Sequence, residues 1–105
     1  MRETFGLRTT DLQAIREALN AFPAVERALL FGSRAKGTQR VGSDVDLALS
    51  GVALDERTVR DIAWQLNEET MMPYHFDVLN YDRLDHTALR AHIDRVGVCL
   101  FERGG

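Results

Sequence analysis

Residues 45–50 read Val-Asp-Leu-Ala-Leu-Ser, and this period of two constrains the fold more than any other stretch. Val45, Leu47 and Leu49 point one way, and Asp46, Ala48 and Ser50 the other, as in a strand with one apolar face. Such a strand cannot bury that face alone; it needs neighbours and a covering layer. Three more short stretches supply neighbours: 25–31 (VERALLF), running into Gly32; 74–81 (YHFDVLNY), bounded by Pro73 and Asp82; and 98–102 (VCLFE).

The covering layer is legible as helical spacing. In 9–22 (TTDLQAIREALNAF), Thr10 and Gln13 form a capping-box pattern, Leu12, Ile15, Leu19 and Phe22 share a face, and Pro23 ends the run. After Gly51, Asp55 caps a helix whose Val59, Ile62, Ala63 and Leu66 align, with Trp64 beside that stripe as a packing residue. A third helix over roughly 83–96 carries Leu89, Ile93 and Val96 and stops at Gly97. The order α-β-β-α-β-α-β predicts an α+β fold with a mixed sheet of about four strands and helices on one side.

With 105 residues, of which 45% are hydrophobic, the chain suits one domain (residues 1–105) with a single modest core. A net charge of −3 and the lack of a basic stripe argue against direct nucleic-acid binding. No apolar run approaches a membrane span, and MRETFGLRTT has no signal-peptide core. The single cysteine, Cys99, lies in the apolar VGVCLFE, which predicts a buried thiol and a reducing, cytoplasmic setting. The tail ERGG is expected to be loose.

Chemistry concentrates in residues 32–46, GSRAKGTQRVGSDVD. Gly32 and Ser33 follow the first strand, where a turn of SRAK would offer free amides and a hydroxyl to a phosphate; a plain Gly-Ser turn reads the same way. Asp44 and Asp46 lie two apart at a strand start, so they share a face at a separation of about 6–7 Å. Held in a partly buried site, they repel by roughly 1–4 kcal/mol. An open surface tolerates that, and so does a site where divalent cations bridge the carboxylates. Asp77 sits between Phe76 and Val78, where strand propensity would not choose an aspartate. If its strand pairs with 45–50, Asp77 joins Asp44 and Asp46 as a metal site.

GSRAKG, the spacing to Asp44, the DVD and the later strand aspartate together resemble the DNA polymerase beta-type nucleotidyltransferase superfamily, and within it the minimal nucleotidyltransferase (MNT) branch. The resemblance spans about residues 10–102 and implies the nucleotidyltransferase fold. It implies an ATP- and magnesium-dependent enzyme in which Gly32 and Ser33 bind the triphosphate. Asp44 and Asp46 would ligate two magnesium ions; Asp77 would ligate the catalytic one and help activate the acceptor hydroxyl.

Minimal members of the branch are typically encoded with a HEPN ribonuclease toxin. They act as its antitoxin, in what is termed a type VII system, and can transfer AMP to a toxin tyrosine. The HEPN pattern itself, Arg with a His and Tyr at fixed spacing, is absent from this sequence. The acceptor is therefore expected from outside the chain, in a hetero-oligomer. A binding-only antitoxin, a partner-completed small-molecule nucleotidyltransferase and a nucleotide-binding regulatory subunit are the alternatives.

Around this core, Arg34, Lys36 and Arg40 read either as triphosphate or partner contacts or as solvated loop charge. Ser43 reads as a residue of the nucleotide site that orients the turn before Asp44. His75 shares the face of Asp77, as a supporting group or as a plain strand histidine. His86 and His92 lack metal-ligand spacing and are expected on the surface.

Overall fold

In a computed structural model that describes residues 5–104, the 45–50 alternation becomes the second of four strands among the described residues. The elements, in chain order, are α1 (Thr9–Asn20), β1 (Arg27–Phe31), α2 (Ser33–Lys36), β2 (Val45–Ser50), α3 (Glu56–Glu68), β3 (Phe76–Asn80), a 3₁₀ turn (Tyr81–Arg83), α4 (Thr87–Val96) and β4 (Val98–Glu102). The sheet order is β3-β2-β1-β4. β1 pairs antiparallel with β2 and β4, whereas β2 and β3 run parallel. Parallel neighbours need a crossover, and α3 provides it.

The apolar face of the alternation packs as expected. Ala28, Leu30, Val45, Leu47, Leu49, Phe76 and Leu100 meet Leu12, Ile15 and Leu19 of α1 and Val59, Ile62 and Leu66 of α3. The helices do not all lie on that side, however. α4 covers part of the opposite face, where Ile93 packs with Phe31 and Ala48, flanked by Leu29, Leu79, Leu89 and Val96. The central strands are apolar on both faces there, so one layer of helices leaves a greasy surface that α4 closes.

Asp55 caps α3 as expected, its Oδ1 accepting from the Thr58 amide at 2.8 Å. At α1 the cap differs. The helix starts at Thr9 and Asp11 reaches back to the Arg8 amide at 3.0 Å, while Gln13 bonds Glu17 instead. A charged carboxylate at the third helical position satisfies that amide better than the Thr10–Gln13 pair would.

Two burial expectations and one about the tail are overturned. Cys99 is exposed, because β4 is an edge strand whose Leu100 is buried in the core, with Phe101 packed partly against it. Trp64 is 57% exposed, one position off the buried stripe of α3. The tail is pinned rather than loose: the Arg103 guanidinium donates to Val25 O at 3.0 Å and to Asn20 Oδ1 at 3.0 Å, and stacks over Phe101. Gly105 and residues 1–4, part of the stretch read for a signal peptide, lie outside the described residues. Among the described residues no helix is long and apolar enough to cross a membrane.

Candidate functional site

The face of the sheet opposite α1 and α3 carries a row of three residues in register: Phe31 on β1, Asp46 on β2 and Asp77 on β3. Because side chains alternate along each strand, the pairing of β2 with β3 sets the two aspartates side by side. Phe31 is buried, with the His92 ring edge-on at 6.4 Å; Asp46 is half-buried and Asp77 exposed. Asp44, just before β2, is exposed.

Gly32 follows Phe31 with φ +77° and ψ −157°, a backbone region open essentially only to glycine. A Cβ there would stand 2.2 Å from Asp46 Oδ2. The absent side chain is therefore the space in which the Asp46 carboxylate lies. From Gly32 the chain turns through α2, and the Lys36 amide donates to Gly32 O at 3.2 Å. Ser33 sits at the head of that turn and its carbonyl accepts from the Thr38 amide at 2.9 Å.

Electrostatics single out Asp46. Burial first, then the charges of Asp77 and Asp44, raise its pKa above the ordinary carboxylate value, against weaker opposing effects of His75 and Arg34. A divalent cation relieves this kind of frustration, and a donor set of carboxylate oxygens suits a hard ion such as magnesium. The three aspartates are not drawn into a closed ligand set, however. Among the described residues no group of three or more His, Cys, Asp or Glu side chains is gathered tightly enough to hold a metal ion. The chemistry of the donors fits a cation.

Arg34 departs from the sequence expectation. Its guanidinium is not presented to a triphosphate; the residue is 3% exposed and turned inward. Nη2 and Nε donate to Ser43 O at 2.8 and 3.3 Å, Nη1 donates to Phe5 O at 2.9 Å, and Cζ lies 4.9 Å from the centre of the Tyr74 ring. With three of its N–H donors on backbone carbonyls, Arg34 fastens the loop. Ser43 orients its turn as expected, its Oγ accepting from the Arg40 amide at 2.7 Å.

Lys36 and Arg40 are exposed beside the site. His75 is exposed, and its carbonyl accepts from the Val45 amide at 2.9 Å, joining the starts of β2 and β3. His86 caps α4 by accepting from the Leu89 amide at 3.1 Å.

Two residues near the site were missed. Tyr74 lies under Arg34, and its hydroxyl donates to Asp11 Oδ2 at 2.8 Å. Those partners are 63 positions apart, and no local pattern links them. Tyr74, Arg34, Gly6 and residues 39–42 line an open depression of about 360 Å³.

A family profile described as polymerase beta, nucleotidyltransferase, matches residues 13–104. No curated protein matches the chain. Among solved structures, a chain of a toxin–antitoxin crystal structure with AMP-PNP is similar at 24% identity and a TM-score of 0.74, over 90% of this chain and 75% of that one. A second similar structure is the tri-AMPylated Shewanella oneidensis HEPN toxin in complex with MNT antitoxin, at 20% identity and a TM-score of 0.66, over 87% of this chain and 69% of that one. A putative nucleotidyltransferase from Sulfolobus solfataricus matches at 24% identity and a TM-score of 0.53, over 88% of this chain and 77% of that one. At these identities the structural likeness shows the fold.

Proposed function

This chain belongs to the polymerase beta nucleotidyltransferase family, and from that premise we propose that it is the antitoxin of a HEPN/MNT pair, transferring AMP from ATP to a tyrosine of its HEPN toxin. The observation that carries the transferase reading is the Gly32–Asp46–Asp77 arrangement: a glycine without room for a side chain against one aspartate, and a second aspartate in register with it. The toxin as acceptor is supported by one similar structure, in which a tri-AMPylated HEPN toxin is in complex with an MNT antitoxin.

In this reading Gly32 and Ser33 receive the triphosphate through the backbone amides and hydroxyl of the turn. Ser43 keeps the neighbouring loop in shape. The acceptor hydroxyl attacks the α-phosphorus, its bond to the oxygen bridging to the β-phosphate breaks, and pyrophosphate leaves. Asp44, Asp46 and Asp77 would hold two magnesium ions, which when bound neutralise charge on the triphosphate as it reorganises. Asp77, the more exposed of the in-register pair, faces the acceptor and helps to take its proton. The protein's contribution is positioning and charge placement.

The test is incubation of the toxin encoded alongside with this protein, ATP and magnesium. Intact-mass measurement is expected to find one or more AMP groups on the toxin, which then stays inactive as a ribonuclease after separation. The triple change Asp44→Ala, Asp46→Ala, Asp77→Ala is expected to abolish the added mass. A toxin that gains no mass yet is neutralised by wild type and triple mutant alike overturns the transferase reading. That outcome would favour a binding-only antitoxin.

A further inference from the structure

We propose that Arg34 is a positioning residue of this site, locking the turn that carries Gly32 and Ser33 to the start of the aspartate strand. The inference rests on the transferase reading above for its kinetic consequence, and on geometry alone for the lock itself.

One side chain meets every segment that bears a site residue. Arg34 itself follows Ser33. Its fork holds the carbonyl of Ser43, the residue before Asp44, with two donors. Its flat face lies on Tyr74, three residues before Asp77. Its third bond reaches Phe5 O, ahead of α1. Tyr74 extends the lock to Asp11, which is also paired with Arg8 at 3.2 Å. The loop between α2 and β2 is otherwise braced by short-range bonds, Thr38 to Ser33 and residues 40 and 43 to each other.

The chemistry of the lock is specific. Arg8–Asp11 is the one ion pair among the described residues, so the buried Arg34 cation is compensated by carbonyls and a ring face rather than a carboxylate. A buried charge is costly, and an apolar side chain would fill the same space more cheaply if packing were the only requirement. What an apolar residue, or a lysine, cannot do is fork onto one carbonyl, reach a second and stack on a ring at once.

The experiment compares wild type with Arg34→Lys, Arg34→Met and Tyr74→Phe. Amide hydrogen exchange over residues 38–44 reads the lock, and kcat and KM for ATP in AMP transfer read its consequence. Loss of the fork is expected to speed exchange in 38–44 by about tenfold or more. It is expected to lower kcat by up to about a hundredfold, with KM for ATP changed little, because triphosphate contacts remain while the carboxylates are misplaced.

Arg34→Lys is expected to keep the thermal midpoint near wild type yet fail to restore kcat. A rise in KM with unchanged loop exchange would overturn the proposal and make Arg34 a direct triphosphate ligand. Unchanged exchange, kcat and KM in Arg34→Lys would also overturn it. Should Arg34→Met not fold, Arg34→Lys decides the matter. Should wild type transfer no AMP, the function reading fails, while loop exchange in Arg34→Lys still decides the lock.

Discussion

Replacing Gly32 with alanine separates backbone strain from site geometry in one substitution. At φ +77° and ψ −157°, an L-residue pays on the order of 1–3 kcal/mol. For a domain of this size that corresponds to a fall in thermal midpoint of roughly 4–20 °C. The new methyl would also stand 2.2 Å from Asp46 Oδ2 and 3.1 Å from its Cγ. Because a carboxylate is the free end of its side chain, it swings aside rather than breaking the sheet. The clash is thus expressed as a displaced Asp46 and lost Mg-ATP binding.

Thermal unfolding with and without Mg-ATP reads both effects. Gly37→Ala is the control: its φ is also positive, at +79°, yet a Cβ there meets nothing within 4 Å. It is expected to lose about 1–2 kcal/mol of stability and to keep its ligand-induced rise. Gly32→Ala is expected to lose both. A Gly32→Ala protein with the wild-type midpoint would refute the strain argument. One that melts lower but keeps the full Mg-ATP response would refute the placement of Asp46 against Gly32.

Asp46→Ala is expected to abolish stabilisation by Mg-ATP without lowering the ligand-free midpoint, since burial and two neighbouring carboxylates already disfavour its charge; a clear drop in the ligand-free midpoint would contradict this. Asp77→Asn is expected to keep much of the triphosphate affinity while transfer falls by about a thousandfold, roughly 4 kcal/mol in transition-state stabilisation, so near-normal single-turnover AMP transfer would remove Asp77 from the chemistry. At Asp11, burial raises the pKa, but hydrogen bonds from Arg8 and Tyr74 and the charge of Arg8 outweigh it and leave the value below the ordinary one. Its stabilisation is therefore fully present above the unfolded value of about 3.9 and is lost as pH falls through the folded one. The midpoint gap between wild type and Asp11→Asn is expected to be constant from neutral pH down to about pH 5 and to shrink below pH 4; a gap that widens on acidification would show the sign to be wrong.

The elements of this protein are local and were legible along the chain. The alternation at 45–50, the stripe at Val59, Ile62 and Leu66, the Asp55 cap and the stop at Gly97 each depend on neighbours within a turn or two, and each has its counterpart in the structure. Asp77 stood out for the same reason, as an aspartate at odds with its strand, while Gly32 and Asp46 stood out through the Gly-Ser turn and the pair of aspartates two apart. Which face α4 would cover was not local, because Leu29, Phe31, Ala48 and Leu79 become one surface only when three strands pair. The edge position of β4 exposed Cys99 despite its apolar surroundings in sequence. Arg34 shows the difference most sharply: as a basic residue after Gly-Ser it reads as a triphosphate or partner contact or as solvated loop charge, yet it folds inward onto Phe5, Ser43 and Tyr74. Spacing along the chain specifies the strand or helix a residue joins, whereas the direction and partners of a long side chain depend on distant carbonyls and rings that only the folded sheet brings within reach.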